Sequence, residues 1–440
     1  MCLLSIVQSG DNSRSNLARS NLGGRVVFHI DMNSYFASVA EQANPFLRGK
    51  PIGVGGKPGT RGIIAAASIA AKKRGVKTAM NSYEALRLCP ELEIIHGDPD
   101  AYEDVTHKFL RVFRRYTDAV EVFSIDEAFL DVTGWHERYG GPEALARRIK
   151  VELRAELGER ITCSVGIAPN KILAKLASDL KKPDGLVRIR PEDVPVLWAF
   201  LPLTEICGIA ERMKRRLNRL GIHTLQDLSE TPLTRLTIVF GPVAGAKLWL
   251  LGQGEDPSPV QNVEAAPKSF GNSYTLPEDT TNPKIIYETL MKLVEKACRR
   301  MRAENFQTRY VSALVRYGDF SHAGDGARLP EAIDDPVPIF ETAWECLQHS
   351  IFGFQISDRV GYLKSTRPVR LLGVHLSELI YENNQLTFWP ERERRHRLLH
   401  ALDEINNRYG SSTVTSATTT GVVLKRHVSG FKYGTALIKR

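Results

Sequence analysis

Paired cysteines and long apolar runs are both missing from this 440-residue chain. Its six cysteines, Cys2, Cys89, Cys163, Cys207, Cys298 and Cys346, lie far apart with no CxxC pair. That spacing argues against a zinc module or a disulfide scaffold and fits a reducing compartment. No apolar stretch approaches the ~18 residues needed to cross a bilayer, so no membrane association is expected. The opening MCLLSIVQSG lacks the basic flank and the apolar length of a secretory signal. A cytoplasmic protein is expected, with residues 1–24 as a disordered leader rich in Ser, Asn and Gly.

What the chain does have is ordinary globular composition and an excess of positive charge. Lys and Arg number 59 against 50 Asp and Glu, a net +9 that suggests a polyanionic partner without establishing one. Length over ~150 residues per domain predicts about three domains. From Val26 to about residue 181 two periodicities alternate. Val26–Ile30 reads as a strand and Asp98–Tyr116 as a helix, with Tyr102, Val105, Phe109, Val112, Phe113 and Tyr116 at helical spacing. Ala119–Ile125 and Ala128–Val132 read as strands. A helix follows from Pro142 to Gly158, then a strand Thr162–Ile167 and a helix Asn170–Leu180.

With 43–97 set aside, the order is β-α-β-β-α-β, the ferredoxin-like split unit. Its first and third strands are antiparallel neighbours, so the end of one meets the start of the other. Asp31 ends the first; Asp126-Glu127 opens the third. Singly, Asp31 reads as a helix cap and Asp126-Glu127 as a polar turn. Brought together, three carboxylates repel strongly unless a cation is present, so divalent metal binding is the better reading. Residues 43–97, rich in Gly and small side chains, read as an appended layer. Residues 196–256 read as helical, 257–267 as a linker, and 268–376 as a second α/β pattern.

FHIDMNSYFASV, FSIDEAFLDVTG and SVGIAPNKILAKLASDLKKPDG resemble, in order and spacing, the three palm motifs of Y-family DNA polymerases. The resemblance runs from about residue 25 to 420 and is closest to the DinB, or DNA polymerase IV, branch of lesion-bypass enzymes. It implies an α+β multidomain fold: a ferredoxin-like palm (25–42 and 98–190) with inserted fingers (43–97), a helix-hairpin-helix thumb (191–256) and an α/β little finger (268–384). It also implies two Mg²⁺ ions, with Mn²⁺ as a substitute, held by Asp31, Asp126, Glu127 and the Met32 carbonyl. The reaction implied is attack of a primer 3′-hydroxyl on the α-phosphate of a dNTP, directed by a template. Asn33 replaces an Asp common in the family, at a position not required as a ligand.

For the nucleotide, the resemblance places Phe36 as a steric gate against a 2′-hydroxyl, with Tyr35 beside it, and Lys182, Lys72 and Arg61 toward the triphosphate. Two departures stand out: Lys72 where the family usually has Arg, and Ile69 where it usually has Tyr. Lys keeps the charge but loses the bidentate fork, so weaker dNTP binding is expected. LPLTEICGIAERMKRRLNRLG (201–221) resembles a helix-hairpin-helix, whose turn at Gly208 and basic residues Arg212, Lys214 and Arg215 would hold DNA phosphates. Lys268–Gly271 and Arg309–Arg316 are further expected backbone contacts.

Gln385, Leu386, Phe388 and Trp389 stand in QLTFW, which resembles the bacterial pentapeptide that docks on the sliding clamp. Residues 385–440 would then form a clamp-binding, basic tail. The partners implied are primer-template DNA, dNTPs and the clamp, for a monomeric bacterial enzyme working at the nucleoid. The four parts leave no segment for a proofreading exonuclease. Two other readings compete: a non-catalytic, polymerase-like scaffold that recruits factors to damaged DNA through the clamp, and a nucleotide cyclase on a related palm. Intact carboxylates oppose the first; the thumb and little-finger patterns have no use in the second.

Overall fold

In the computed structural model the described residues are 24–56, 62–262, 266–352, 367–381, 390–410, 413–422 and 424. The expected leader, Arg61 and the QLTFW residues Gln385, Leu386, Phe388 and Trp389 lie outside them. The chain divides into two compact units that part at residue 264/265.

The first unit opens with β1 (Val27–Met32), whose apolar side chains are fully buried, and turns through Ser34 into α1 (Tyr35–Ala43). Ser34 holds a left-handed φ of 48°, a sharp corner that ends the strand within two residues of Met32. A separate three-stranded sheet follows, in the order β3-β2-β4: β2 (Ile52–Gly55), β3 (Ile64–Ala67) and β4 (Glu93–Ile95). Its two short helices are α2 (Ile69–Lys73) and α3 (Ser82–Leu88), capped by the Ser68 and Asn81 side chains.

The main sheet resumes after α4 (Pro99–Arg114), which Asp98 caps with its carboxylate. Then come β5 (Val120–Val122), β6 (Glu127–Asp131), α5 (Pro142–Leu157), β7 (Cys163–Ala168), α6 (Lys171–Leu180) and β8 (Leu186–Arg188). The strand order is β5-β6-β1-β7-β8. β1 is antiparallel to both β6 and β7, so the split βαβ unit expected from periodicity is the observed one. An added edge strand, β8, runs parallel to β7.

One face of the sheet packs on α4 and α5 through Phe28, Ile30, Phe109, Phe113, Leu145 and Ile149. The other packs on α6 and on the helical segment α7 (Val194–Phe200), α8 (Glu211–Asn218), α9 (Leu225–Glu230), α10 (Leu233–Phe240) and α11 (Pro242–Gln253). Two buried hydrogen bonds fasten that segment: Trp198 Nε1 donates to Gly252 O at 2.7 Å, and Asn170 Nδ2 to Gly254 O at 2.8 Å.

The second unit is a four-stranded antiparallel sheet in the order β11-β10-β12-β9. Its elements are β9 (Phe270–Thr280), α12 (Pro283–Ala303), β10 (Phe306–Tyr317), β11 (His322–Ile333), α13 (Pro336–Phe352), β12 (Val369–Tyr381) and α14 (Pro390–Tyr409). Along β10, Val311, Ala313 and Val315 face the helices while Leu314 and Arg316 face outward, leaving one sheet face to solvent.

Candidate active site

Strand register assembles the site. Asp31 is the direct partner of Glu127 across the β1–β6 ladder, and the Met32 N–H donates to the Asp126 carbonyl at 2.8 Å. Three carboxylates separated by the whole three-stranded insertion therefore meet at one sheet end. Asn33 seals the other side of this corner. Its Nδ2 donates to Ser164 Oγ at 2.9 Å, and its Oδ1 accepts from the Asp184 N–H at 2.7 Å and from Thr162 Oγ1 at 3.1 Å. A carboxylate at 33 could not donate to Ser164, so the amide has a structural use here.

The three acids sit in unequal surroundings. Burial raises the Asp31 carboxyl above the usual range; Lys182 opposes that shift, donating from Nζ to Oδ2 at 2.8 Å, and the neighbouring carboxylates add to it. Burial also raises Asp126, against a hydrogen bond from Ser124. Burial alone would raise Glu127 as well, but the His29 imidazole and the Lys175 ammonium outweigh it and bring the carboxyl down to about 2. His29 is fully buried, with Nε2 3.0 Å from Glu127 Oε2 and Nδ1 hydrogen-bonded to Ser178 Oγ at 2.7 Å. Lys175 pairs with the same carboxylate from α6.

His29, Lys175, Ser124 and Ser178 were not singled out in the sequence. The usable signal is period two: His29 and Asp31 share one face of β1, so His29 points where the acids gather. A rim of cations completes the site. Lys182 bridges Asp31 and Asp179, the latter at 2.7 Å, and Lys72 lies within electrostatic reach of Asp31, Asp126 and Lys182. Burial, then the Lys182 charge, lower the Lys72 amine. Ile69 is partly exposed at the start of the same short helix.

Phe36 is half-buried and stacks on Tyr102, ring centroids 4.3 Å apart at 28°. Tyr35 lies beneath that stack. It is only 3% exposed, donates to the Tyr102 carbonyl at 2.7 Å and shares a 2.8 Å hydrogen bond with Thr106, so its ring and hydroxyl belong to the core beneath Phe36. Of the residues expected to contact DNA, Gly208 adopts φ 107° in the turn before α8, a conformation L side chains rarely take. Arg212 and Arg215 are exposed on α8, while Lys214 pairs with Glu211 at 3.3 Å.

All-oxygen donors that are costly to ionise together, beside a lysine standing in for a cation at Asp31, fit hard divalent ions. A ferredoxin-like sheet carrying such a centre, with a half-buried aromatic and a cationic rim beside it, is the arrangement of a polymerase-type nucleotidyltransferase. Comparison with known proteins agrees. The impB/mucB/samB family model matches residues 30–179, its C-terminal domain matches 267–388, and a DNA polymerase-iota thumb domain matches 204–256. DNA polymerase IV of Pelotomaculum thermopropionicum is 36% identical over 403 residues, covering 90% of this chain and 96% of that protein. DNA polymerase IV of Moorella thermoacetica is 38% identical over 392 residues, covering 88% and 94%. A solved Y-family DNA polymerase chimera of Dbh and Dpo4 superposes with a TM-score of 0.68 at 31% identity, covering 81% of this chain and all of that one.

The chain belongs to the DinB-type, DNA polymerase IV family of Y-family DNA polymerases. It is a translesion DNA-directed DNA polymerase, acting on primer-template DNA and dNTPs and dependent on divalent metal. Its fold is the expected ferredoxin-like palm with inserted fingers, helix-hairpin-helix thumb and α/β little finger. Among the described residues no helix is long and apolar enough to cross a membrane.

Proposed function

We propose that this polymerase extends a primer 3′ end opposite damaged template positions with two Mg²⁺ ions and without proofreading. The observation that carries the reading is the register pairing Asp31 with Glu127 and Met32 with the Asp126 carbonyl. Asp31, Asp126, Glu127 and the Met32 carbonyl would hold the ions, and Mn²⁺ would substitute. When bound, the ions supply activation of the attacking hydroxyl and charge stabilisation at the leaving phosphate.

The chain's own residues do the rest. His29 and Lys175 keep Glu127 ionised and oriented. Lys182, tethered to Asp179, presents its ammonium at the mouth of the site for phosphate oxygens, with Lys72 and Arg61 as further cations. Phe36, braced by Tyr102 and Tyr35, bars a ribose 2′-hydroxyl by clash. Gly208, Arg212, Lys214 and Arg215 hold DNA phosphates without reading sequence. In this reading the described elements before α14 divide into palm (25–42, 98–190), fingers (43–97), thumb (191–256), linker (257–267) and little finger (268–384). Gln385, Leu386, Phe388 and Trp389 would dock the sliding clamp, and the enzyme would act as a monomer at the bacterial nucleoid.

Primer extension with Mg²⁺ and dNTPs tests this reading. Asp126→Ala should lose activity by about a thousandfold or more, and Phe36→Ala should admit ribonucleotides. No extension by the wild type with any divalent metal would leave the scaffold reading standing instead.

A further inference from the structure

In the second unit, three side chains take no part in the polymerase chemistry described above. Asp334 immediately follows β11 and is 7% exposed. Its Oδ2 is buried and accepts no hydrogen bond. His396 and His400 lie four residues apart on α14 and so share one helix face. His396 Nδ1 stands 3.3 Å from Asp334 Oδ2, the two imidazoles are 4.3 Å apart, and one ligating atom from each residue falls within 4.8 Å of the others. The Nε2 of His400 is buried and also has no hydrogen-bond partner.

We propose that Asp334, His396 and His400 bind a transition-metal dication of the Zn²⁺ type, which pins α14 to the end of β11. Two imidazoles and one carboxylate form a donor set that suits Zn²⁺, Co²⁺ or Ni²⁺ and does not suit Mg²⁺, which prefers all-oxygen octahedra. The 3.3 Å between Nδ1 and Oδ2 matches the ~3.3 Å edge of a tetrahedron with Zn²⁺ bond lengths. Three protein ligands leave one position for water or another donor.

Charge around the trio favours a cation. The adjacent Asp335 is already taken by Arg395, at 2.9 and 3.3 Å. Arg302 donates to the Asp334 backbone carbonyl at 2.8 Å, but its charge is met by Asp403 at 2.7 and 3.1 Å. The Asp334 carboxylate is left facing the two imidazoles. A buried carboxylate oxygen without a hydrogen-bond donor is costly, and a bound dication offsets that cost directly.

The test uses untagged full-length protein stripped with chelator and then held in millimolar Mg²⁺, so that the catalytic carboxylates are occupied. Zn²⁺ titrated by calorimetry should bind one equivalent, and Co²⁺ should give visible absorption bands that Zn²⁺ displaces. Asp334→Asn should weaken binding by about tenfold or more. His396→Ala/His400→Ala should abolish it, while Asp126→Asn keeps the one equivalent. Zn²⁺ should also shield His396 and His400 of the unaltered protein from diethyl pyrocarbonate, a readout independent of any variant's folding. Absence of a bound equivalent in the wild type, or one that survives loss of both histidines, overturns the proposal.

Discussion

At the scale of single residues, the three acids of the active site carry opposite biases. Glu127 is held far below its usual 4.5, at about 2, so it contributes stability at neutral pH that is lost progressively as pH falls from 4.5 through that lower value. Asp126 is biased the other way, because burial favours its protonated form. The proton bound there on folding is stabilising at low pH, and that contribution disappears as pH rises through the raised folded value. Metal-free Asp126→Asn should therefore melt above the wild type at pH 7, with the gap closing as the solution is acidified. Added Mg²⁺ should reverse the ranking. Melting curves against pH, with and without chelator, check this; equal melting temperatures at pH 7 would remove burial as the dominant influence on Asp126. The carboxylates themselves were readable because each ends or opens an apolar strand. His29 was not, because a lone histidine inside VVFHI looks like one more strand residue, and only the register with β6 shows what it faces.

Among the elements, legibility followed burial. Central strands β1, β6 and β7 carry continuous or alternating apolar residues, and each was anticipated in place. The outer strands β9 and β11 of the second sheet were not, nor was β8. FGNSYTLPEDT and HAGDGARLPEAI contain Gly, Asp and Pro that read as turns, and an edge strand tolerates them because one side of its ladder stays unpaired. β8 is three residues long, too short for any periodicity. Helix α8 yields a test at this scale. Replacing Arg212 and Arg215 with Ala should weaken DNA binding similarly for all sequences and lower the steepness of its salt dependence by about two counterions. Fluorescence anisotropy across a salt series measures both, and an unchanged slope would take these arginines off the phosphate backbone. Arg216 is a poor choice for that experiment, since its guanidinium lies 4.6 Å over the Phe240 ring and supports the fold.

For the whole molecule, the +9 net charge was the first clue to a polyanionic partner and the weakest. Order and spacing of motifs across most of the chain decided the family, as the coverage of 90% against one relative reflects. The trio Asp334, His396 and His400 could not be found that way, because Asp334 follows β11 while the two histidines share α14, so no short spacing signature spans all three. The clamp assignment belongs to this scale too. Deleting Gln385–Trp389 should abolish stimulation of primer extension by the bacterial sliding clamp and leave clamp-independent extension within about twofold. Extension assays with and without clamp decide it, and a retained clamp response would refute the motif.

The place of β1 in the main sheet also sets a schedule for the birth of the enzyme. β1 is made before both of its neighbours yet sits between β6 and β7, so residue 31 must wait for residues 127 and 164 to leave the ribosome before it has both of them. No shorter nascent chain holds the three acids together. The three acids thus come together only after the inserted three-stranded sheet has already emerged, and a truncated product that stops before β6 lacks that site.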